Sequence, residues 1–469
     1  MPTKPMLVVS NPFSQKTIAT LPFNSEKEIE HAFALAHKTF SDRKQWLSKS
    51  DRISILEKAK SLLEKDKDAF VKLAIAEGGK PYNDTVVEVN RAINGISLAI
   101  DAIKQMSGDM IPMNINPSSE NRLAFTVFEP LGVVFAISAF NHPLNLIVHQ
   151  AVTAFAAGCP VVVKPALTTP LTCIKFVDLL HKAGVPKAFC QVIICENEVS
   201  EKLVSDKRIA YLSFIGSSKV GWHLRSKLAN GTHCALEHGG AAPAIVEQDA
   251  DLKTIIPSLI KGSFYHAGQV CVSTQRIFVH ETIADNFIKE FVAQTKKLSV
   301  GDPSKPTTDV GPIITPEALQ RIDGWVKNAK NEGGKILCGG KPLSNNCYAP
   351  TVILNPSLKS EVSQQEIFGP VVCIYTYKKL SEAIQQANAL PYCFQASVFT
   401  KDISTALKTA SELEGTTIMI NDHTAFRVDW MPFGGLKESG MGVGGIHYSV
   451  GEMTKKKLVV VKSEGAKYF

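Results

Sequence analysis

The stretch "LGVVFAISAFNHPLNLIVHQAVTAFAAGCPVVVKP", residues 131–165, decides the fold. Its first eight residues, "LGVVFAIS", form a short apolar run that reads as a buried strand. "HPLNLIVHQAVTAFAAG" then has helical length and stops at Gly158. "PVVVKP" returns to a β-branched run, a second strand. Downstream, "LTTPLTCIKFVDLLHKAG" reads as a helix ending at Gly184, and "CQVIIC" and "AYLSFIG" as further strands. That alternation, from residue 131 to 237, predicts a doubly wound parallel sheet. A second alternating region runs from about 243 to 420, with "APAIVE", "QRIFVH", "VVCIYTY", "QASVFT" and "GTTIMIND" as its strands. Two α/β units follow, joined near Glu237. Upstream, Ser25 and Glu28 form a capping box ahead of Ile29, Ala32, Phe33 and Ala36 on one helical face. Near the C-terminus "KKKLVVVKS" is a basic, β-branched strand without a neighbour in sequence. It reads as an edge strand, and an exposed edge of that length invites pairing with another chain.

The 469 residues are long enough for two or three domains. Hydrophobic residues at 45% and charged residues at 20% are ordinary for a globular protein. A net charge of +7 without a long Lys/Arg run gives no nucleic-acid stripe. The N-terminus lacks the pattern of a secretory signal, and runs such as "AVTAFAAGCPVVV" are too short to span a bilayer. Ten cysteines without a C-x-x-C pair, mostly in apolar segments, predict free thiols in a reducing compartment, hence a cytoplasmic protein with no metal site.

Five short segments carry candidate chemistry. Asn141 in "SAFNHPLN" stands at a strand end, as a turn residue or as an amide donor to an oxyanion. Lys164 ends the strand of "VVVKPALTTP", where an open α/β sheet binds ligands and a lysine can reach ribose or phosphate oxygens, although a lone lysine there reads first as solvated. Gly216 in "FIGSSKVG" permits a tight turn into a helix start that favours phosphate, or a plain βα turn. Glu237 in "ALEHGG" is an exposed turn residue or a general base. Cys271 in "YHAGQVCVST" is a small core residue or a nucleophile, approached through the tight turn that Gly268-Gln269 suggests.

In this order the segments resemble the motifs of the aldehyde dehydrogenase superfamily, across nearly the whole chain. "GQVC" is similar to the nucleophile segment, "LEHGG" to the general base, "SAFNHPLN" to the oxyanion asparagine, "EIFGPV" to the ribose-binding glutamate and its phenylalanine, and "PFGGLKESGMG" to the C-terminal signature. "FNHPLN", "EHGGAAP" and "FRVDWMPFGG" look closest to phosphonoacetaldehyde dehydrogenases and their lactaldehyde and glyceraldehyde-3-phosphate relatives.

The resemblance implies an α/β fold of three parts. These are a Rossmann-like dinucleotide-binding domain (1–111 and 131–239), an α/β catalytic domain (240–436) and a small β oligomerisation element (112–130 and 437–469) that makes a homodimer or homotetramer. It implies NAD(P)-dependent oxidation of a short aldehyde to its carboxylate, through a thiohemiacetal and a thioester on Cys271. Asn141 and the Cys271 backbone N–H would hold the oxyanion, and Glu237 would activate the hydrolytic water. CoA-acylating relatives generally lack that glutamate, so the enzyme is expected to be non-acylating. NAD or NADP would contact Ser138, Phe140, Lys164, Ala166 and Leu167, then Gly216, Ser217, Val220 and Gly239, and finally Glu366 and Phe368. NAD-preferring relatives often carry glutamate where this chain has Leu167, so NADP is expected to be accepted.

Arg91, His142, Arg427 and Phe433 are the candidate substrate contacts, for an aldehyde with a hydroxyl or an anionic tail. Each arginine reads otherwise as part of a structural ion pair, and His142 as a satisfied polar residue. Val270, where a basic residue would suit a phosphonate, argues against phosphonoacetaldehyde. Two further readings stand beside this one: a binding or structural protein that keeps the fold without turnover, and a cysteine hydrolase using His266 as base.

Overall fold

The computed structural model describes residues 5–468. Two predominantly parallel sheets organise it. The first has six strands in the order Gly440–Met441, His233–Glu237, Ile209–Ile215, Val133–Ile137, Val161–Lys164, Cys190–Val192, all parallel but the short first one. Strand Val133–Ile137 lies at its centre, and successive strands are added on either side of it. That reversal of winding makes the switch point beside which ligands bind in open α/β sheets.

Burial on both faces explains the unbroken apolar run. Val133, Phe135 and Ile137 pack with Ile29, Ala32, Phe33 and Ala36 of the helix Glu26–Ser41. Val134 and Ala136 point the other way, into a cluster built from the helices Lys49–Lys65, Tyr82–Gln105 and Pro170–Ala183. Period-two alternation thus feeds two separate cores. The capping box at Ser25 and Glu28 is formed as expected. The helix after Asn141 is less regular than its sequence suggests. It starts at Asn145, widens into a π-helical turn at Val148–Val152 and ends at Ala157.

The second sheet has seven strands, in the order Lys335–Cys338, Thr351–Leu354, Val371–Tyr377, Thr274–His280, Ala242–Val246, Gln395–Phe399, Thr417–Ile420. All are parallel except Lys335–Cys338.

The C-terminal strand is not alone. Thr454–Lys462 pairs antiparallel with Arg122–Pro130 along its whole length, from Thr454 opposite Pro130 to Lys462 opposite Arg122. Met110–Ile111 completes this third sheet. Sequence reading missed the pairing because the partner strands lie more than three hundred positions apart. Between residues 437 and 453 the chain stays with the first sheet: Gly440–Met441 joins it, and the helix Ile446–Glu452 packs on Tyr82–Gln105. Among the described residues no helix is long and apolar enough to cross a membrane.

Candidate active site

The carboxyl ends of four neighbouring strands supply one wall of the site. Ser138, Phe140 and Asn141 follow Val133–Ile137, Lys164 ends Val161–Lys164, Gly216 and Ser217 follow Ile209–Ile215, and Glu237 ends His233–Glu237. The opposite wall comes from segments that precede strands of the second sheet: 265–272 before Thr274–His280, and Glu366 and Phe368 before Val371–Tyr377. Between them lies a cavity of about 980 Å³, and every catalytic, cofactor and substrate candidate that the resemblance implies lines it. Cys271 and Glu237, on different elements, converge there.

The segment before Cys271 is held in an unusual conformation. His266, Ala267 and Gly268 take φ of 47°, 54° and 69° in succession, a left-handed turn costly for the two non-glycine residues. Several contacts hold it. The His266 N–H donates to Asp84 Oδ2 at 3.2 Å, and burial pushes the Asp84 carboxyl up to about 6. Gln269, fully buried, accepts from the Ile314 N–H at 2.9 Å and donates to the carbonyls of Pro312 (3.2 Å) and His266 (3.4 Å). Its own carbonyl accepts from Asn141 Nδ2 at 3.0 Å.

Burial pushes the Cys271 thiol up to about 12; Arg427 opposes the shift, while Glu366 and Glu237 add to it. Burial likewise raises Glu237 above the usual carboxylate range, with Arg427 opposing. A thiol and a carboxylate that both resist ionisation sit beside one guanidinium.

The cofactor end fits a dinucleotide. Burial pushes Glu366 up to about 8, and its Oε1 is buried without a partner, as a carboxylate awaiting hydroxyl donors would be. A Cβ at residue 239 would collide with that carboxylate, so Gly239 permits its approach. Phe368 stands edge-on to Phe140, with ring centroids 5.7 Å apart. Ser138 Oγ is a second buried orphan. Lys164 Nζ donates to Asn197 Oδ1 at 3.1 Å, and Leu167 presents no acceptor.

The candidate substrate residues separate. Arg91 lines the cavity, but its guanidinium is held by both oxygens of Asp429, at 3.0 and 2.8 Å. It is the ion pair of the alternative reading, not a free anion receptor. Asp429 also takes His149 Nε2 at 2.7 Å and Asn145 Nδ2 at 3.2 Å. His142 meets Tyr265 Oη at 3.3 Å; burial and nearby cations push it well below its usual value, so it is neutral. Arg427 lies over the Phe433 ring, 3.5 Å from its centroid, and its Nε and Nη2 are buried without partners. Among the described residues, His266 does not line the cavity, so the cysteine–histidine pair of a hydrolase is not formed. Sequence reading did not mark Asp429, Tyr265 or Asn197. The signal for Asp429 was its place two residues after Arg427 in "FRVDWMPFGG".

A thiol, a carboxylate and an amide thus line one cavity beside the switch point of a dinucleotide-type sheet. The chain belongs to the aldehyde dehydrogenase family, whose family model matches residues 2–459. It is 38% identical over 460 residues to 3-sulfolactaldehyde dehydrogenase of Priestia aryabhattai, covering 98% of this chain and 95% of the relative. It is 38% identical over 458 residues to lactaldehyde dehydrogenase of Methanococcus maripaludis, covering 97% and 96%. The structure of glyceraldehyde-3-phosphate dehydrogenase GapN from Methanocaldococcus jannaschii, complexed with NADP, superposes with a TM-score of 0.93 at 37% identity, covering 99% of this chain and all of that one. The protein is an NAD(P)-dependent aldehyde dehydrogenase.

Proposed function

We propose that Cys271 is the nucleophile, Glu237 the base and Asn141 the oxyanion donor, acting on a short aldehyde with an anionic or hydroxylated tail. Cys271 Sγ, as the thiolate with its proton given up to solvent, bonds to the aldehyde carbon. The resulting oxyanion is held by the Asn141 amide and the Cys271 N–H. NAD(P) would be held by Lys164, Glu366 and the Gly216 turn, and would supply the acceptor for the hydride that the attacked carbon gives up, leaving the acyl group on Cys271. Ionised Glu237 takes a proton from water. The water oxygen bonds to the acyl carbon, the C–S bond breaks, and a carboxylate leaves.

One observation carries the substrate reading: Arg427, in the cavity that holds Cys271, has two buried donors without partners. Buried guanidinium donors are normally satisfied, and a bidentate anion satisfies them. The relatives named for sulfolactaldehyde and lactaldehyde fit such a substrate. Arg427→Ala should lower kcat/KM for an anionic short aldehyde by about a hundredfold, but for propanal much less. Equal losses for both would show that Arg427 is structural.

The sheet of Thr454–Lys462 and Arg122–Pro130 is the proposed oligomerisation element, with the first sheet and its helices as the cofactor domain. Leu458 and Val460 remain 54% and 48% exposed on the C-terminal strand, which supports a homodimer or homotetramer. Ten unpaired cysteines support a cytoplasmic setting. Sedimentation of the purified protein as a monomer would overturn the assembly.

A further inference from the structure

The charges around the substrate end of the cavity decide more than the presence of an anion. Two arginines face it, Arg91 and Arg427. Asp429 binds Arg91 through both carboxylate oxygens, and Asp429 is itself held well below the usual carboxylate range by His149 and Arg91. Its negative charge is permanent, and the charge of Arg91 is spent. Lys80, deeper in the same region, is consumed by Glu88 at 2.5 Å. His142 is neutral. The residue before the nucleophile is Val270, which adds no charge. Lys164 and Arg321 lie toward the cofactor end, against Asn197 and the Ile367 carbonyl. Among the described residues at the substrate end, Arg427, stacked on Phe433, is the cation whose Nε and Nη2 have no ion-pair or hydrogen-bond partner.

Resting on the reading of Arg427 above, we propose that the pocket selects short aldehydes whose tail carries one negative charge, a sulfonate or carboxylate, over those carrying a phosphate dianion. A single fork of two donors matches one monoanion. A second negative charge would find no cation and would be buried uncompensated. It would also stand beside Glu237 and Cys271, both of which the same Arg427 favours in their ionised forms. The dianion therefore carries a penalty in binding and another in the ionisation both chemical steps need.

The test uses the wild-type enzyme and three aldehydes of one three-carbon, 2-hydroxy frame: lactaldehyde (neutral), 3-sulfolactaldehyde (monoanion) and glyceraldehyde 3-phosphate. The second phosphate ionisation falls near pH 6, so lowering the pH converts the dianion into a monoanion while the sulfonate stays unchanged. At pH 8 the sulfonate should exceed both others in kcat/KM by about tenfold or more. As the pH falls below about 6, the sulfonate-to-phosphate ratio should shrink toward one. Taking this ratio cancels the enzyme's own pH profile. Asp429→Asn, which releases Arg91, should move the ratio at pH 8 toward phosphate. Should that variant not fold, Val270→Lys supplies a second cation and should move it the same way. Phosphate equal to or better than sulfonate at pH 8, with both above lactaldehyde, overturns this inference alone. No advantage of either anion over lactaldehyde overturns the Arg427 reading beneath it.

Discussion

The side-chain amide of Asn141 donates to the backbone carbonyl of Gln269, two residues before Cys271, at 3.0 Å. That bond orients the amide and leaves its second N–H without a protein partner among the described residues, in the wall of the cavity. Asn141→Ala and Asn141→Asp should each lower kcat/KM on the order of a hundredfold or more, because neither offers the donor. Cofactor affinity, read by fluorescence titration, should not change. Gln269→Ala should also lower kcat, since it removes the bonds from Ile314 and to Pro312 that hold the strained turn. Undiminished kcat in the Asn141 variants would remove Asn141 from the reaction.

Glu237 should set the acid limb of the pH profile. Its carboxyl is raised by burial, so it protonates at a pH above the ordinary glutamate range, and the active ionised base is lost as pH falls through that raised value. In Glu237→Gln this limb should vanish. A burst of reduced cofactor should precede a stalled thioester in stopped-flow absorbance at 340 nm. Steady turnover without a burst would contradict the assignment. Cys271→Ala should abolish oxidation and leave cofactor binding intact.

Arg427 lowers the Cys271 thiol within a site that otherwise raises it. In Arg427→Ala the thiol should rise further, leaving less thiolate at any pH below its midpoint. Iodoacetamide should then label Cys271 more slowly at pH 9 than in the wild type. Labelling at the wild-type rate would show that the guanidinium does not act on the sulfur.

At the cofactor end, Lys164 is held by a neutral amide, Asn197, and Leu167 stands where a ribose-binding glutamate is common. A 2′-phosphate meets a cation there and no opposing carboxylate at residue 167. NADP should support turnover at millimolar concentration. Leu167→Glu should shift the kcat/KM ratio toward NAD. Inactivity with NADP would refute the reading of Leu167.

Glu88 is fully buried. It accepts from Lys80 Nζ at 2.5 Å and from the N–H groups of Leu144 and Asn145 at 2.9 and 3.1 Å, just beyond Asn141. Glu88→Ala strands a buried ammonium and two N–H groups, and should destabilise the protein by about 3–5 kcal/mol. Urea unfolding followed by circular dichroism measures the loss. A change below about 1 kcal/mol would show that water or a rearranged neighbour replaces the carboxylate.

Much of this protein is local in origin, and the sequence by itself determined that part. The run from Leu131 to Ile137 could only be a strand covered on both faces. Gly158 could end the helix that follows, and Lys164, Gly216 and Glu237 stood at strand ends because the strand-like runs stopped there. Such features depend on neighbours a few positions away, and backbone sterics and hydrophobic periodicity read them directly. Pairing across the chain could be decided only by the tertiary structure. Arg91 and Arg427 look alike in sequence, yet one meets Asp429, 338 positions away, and the other meets the face of Phe433. The C-terminal strand, seemingly without a neighbour, found one at Arg122–Pro130. His142 became neutral because folding removed its water and surrounded it with cations. Whether a charge is free or compensated depends on burial and on distant partners, and neither exists until the chain has folded.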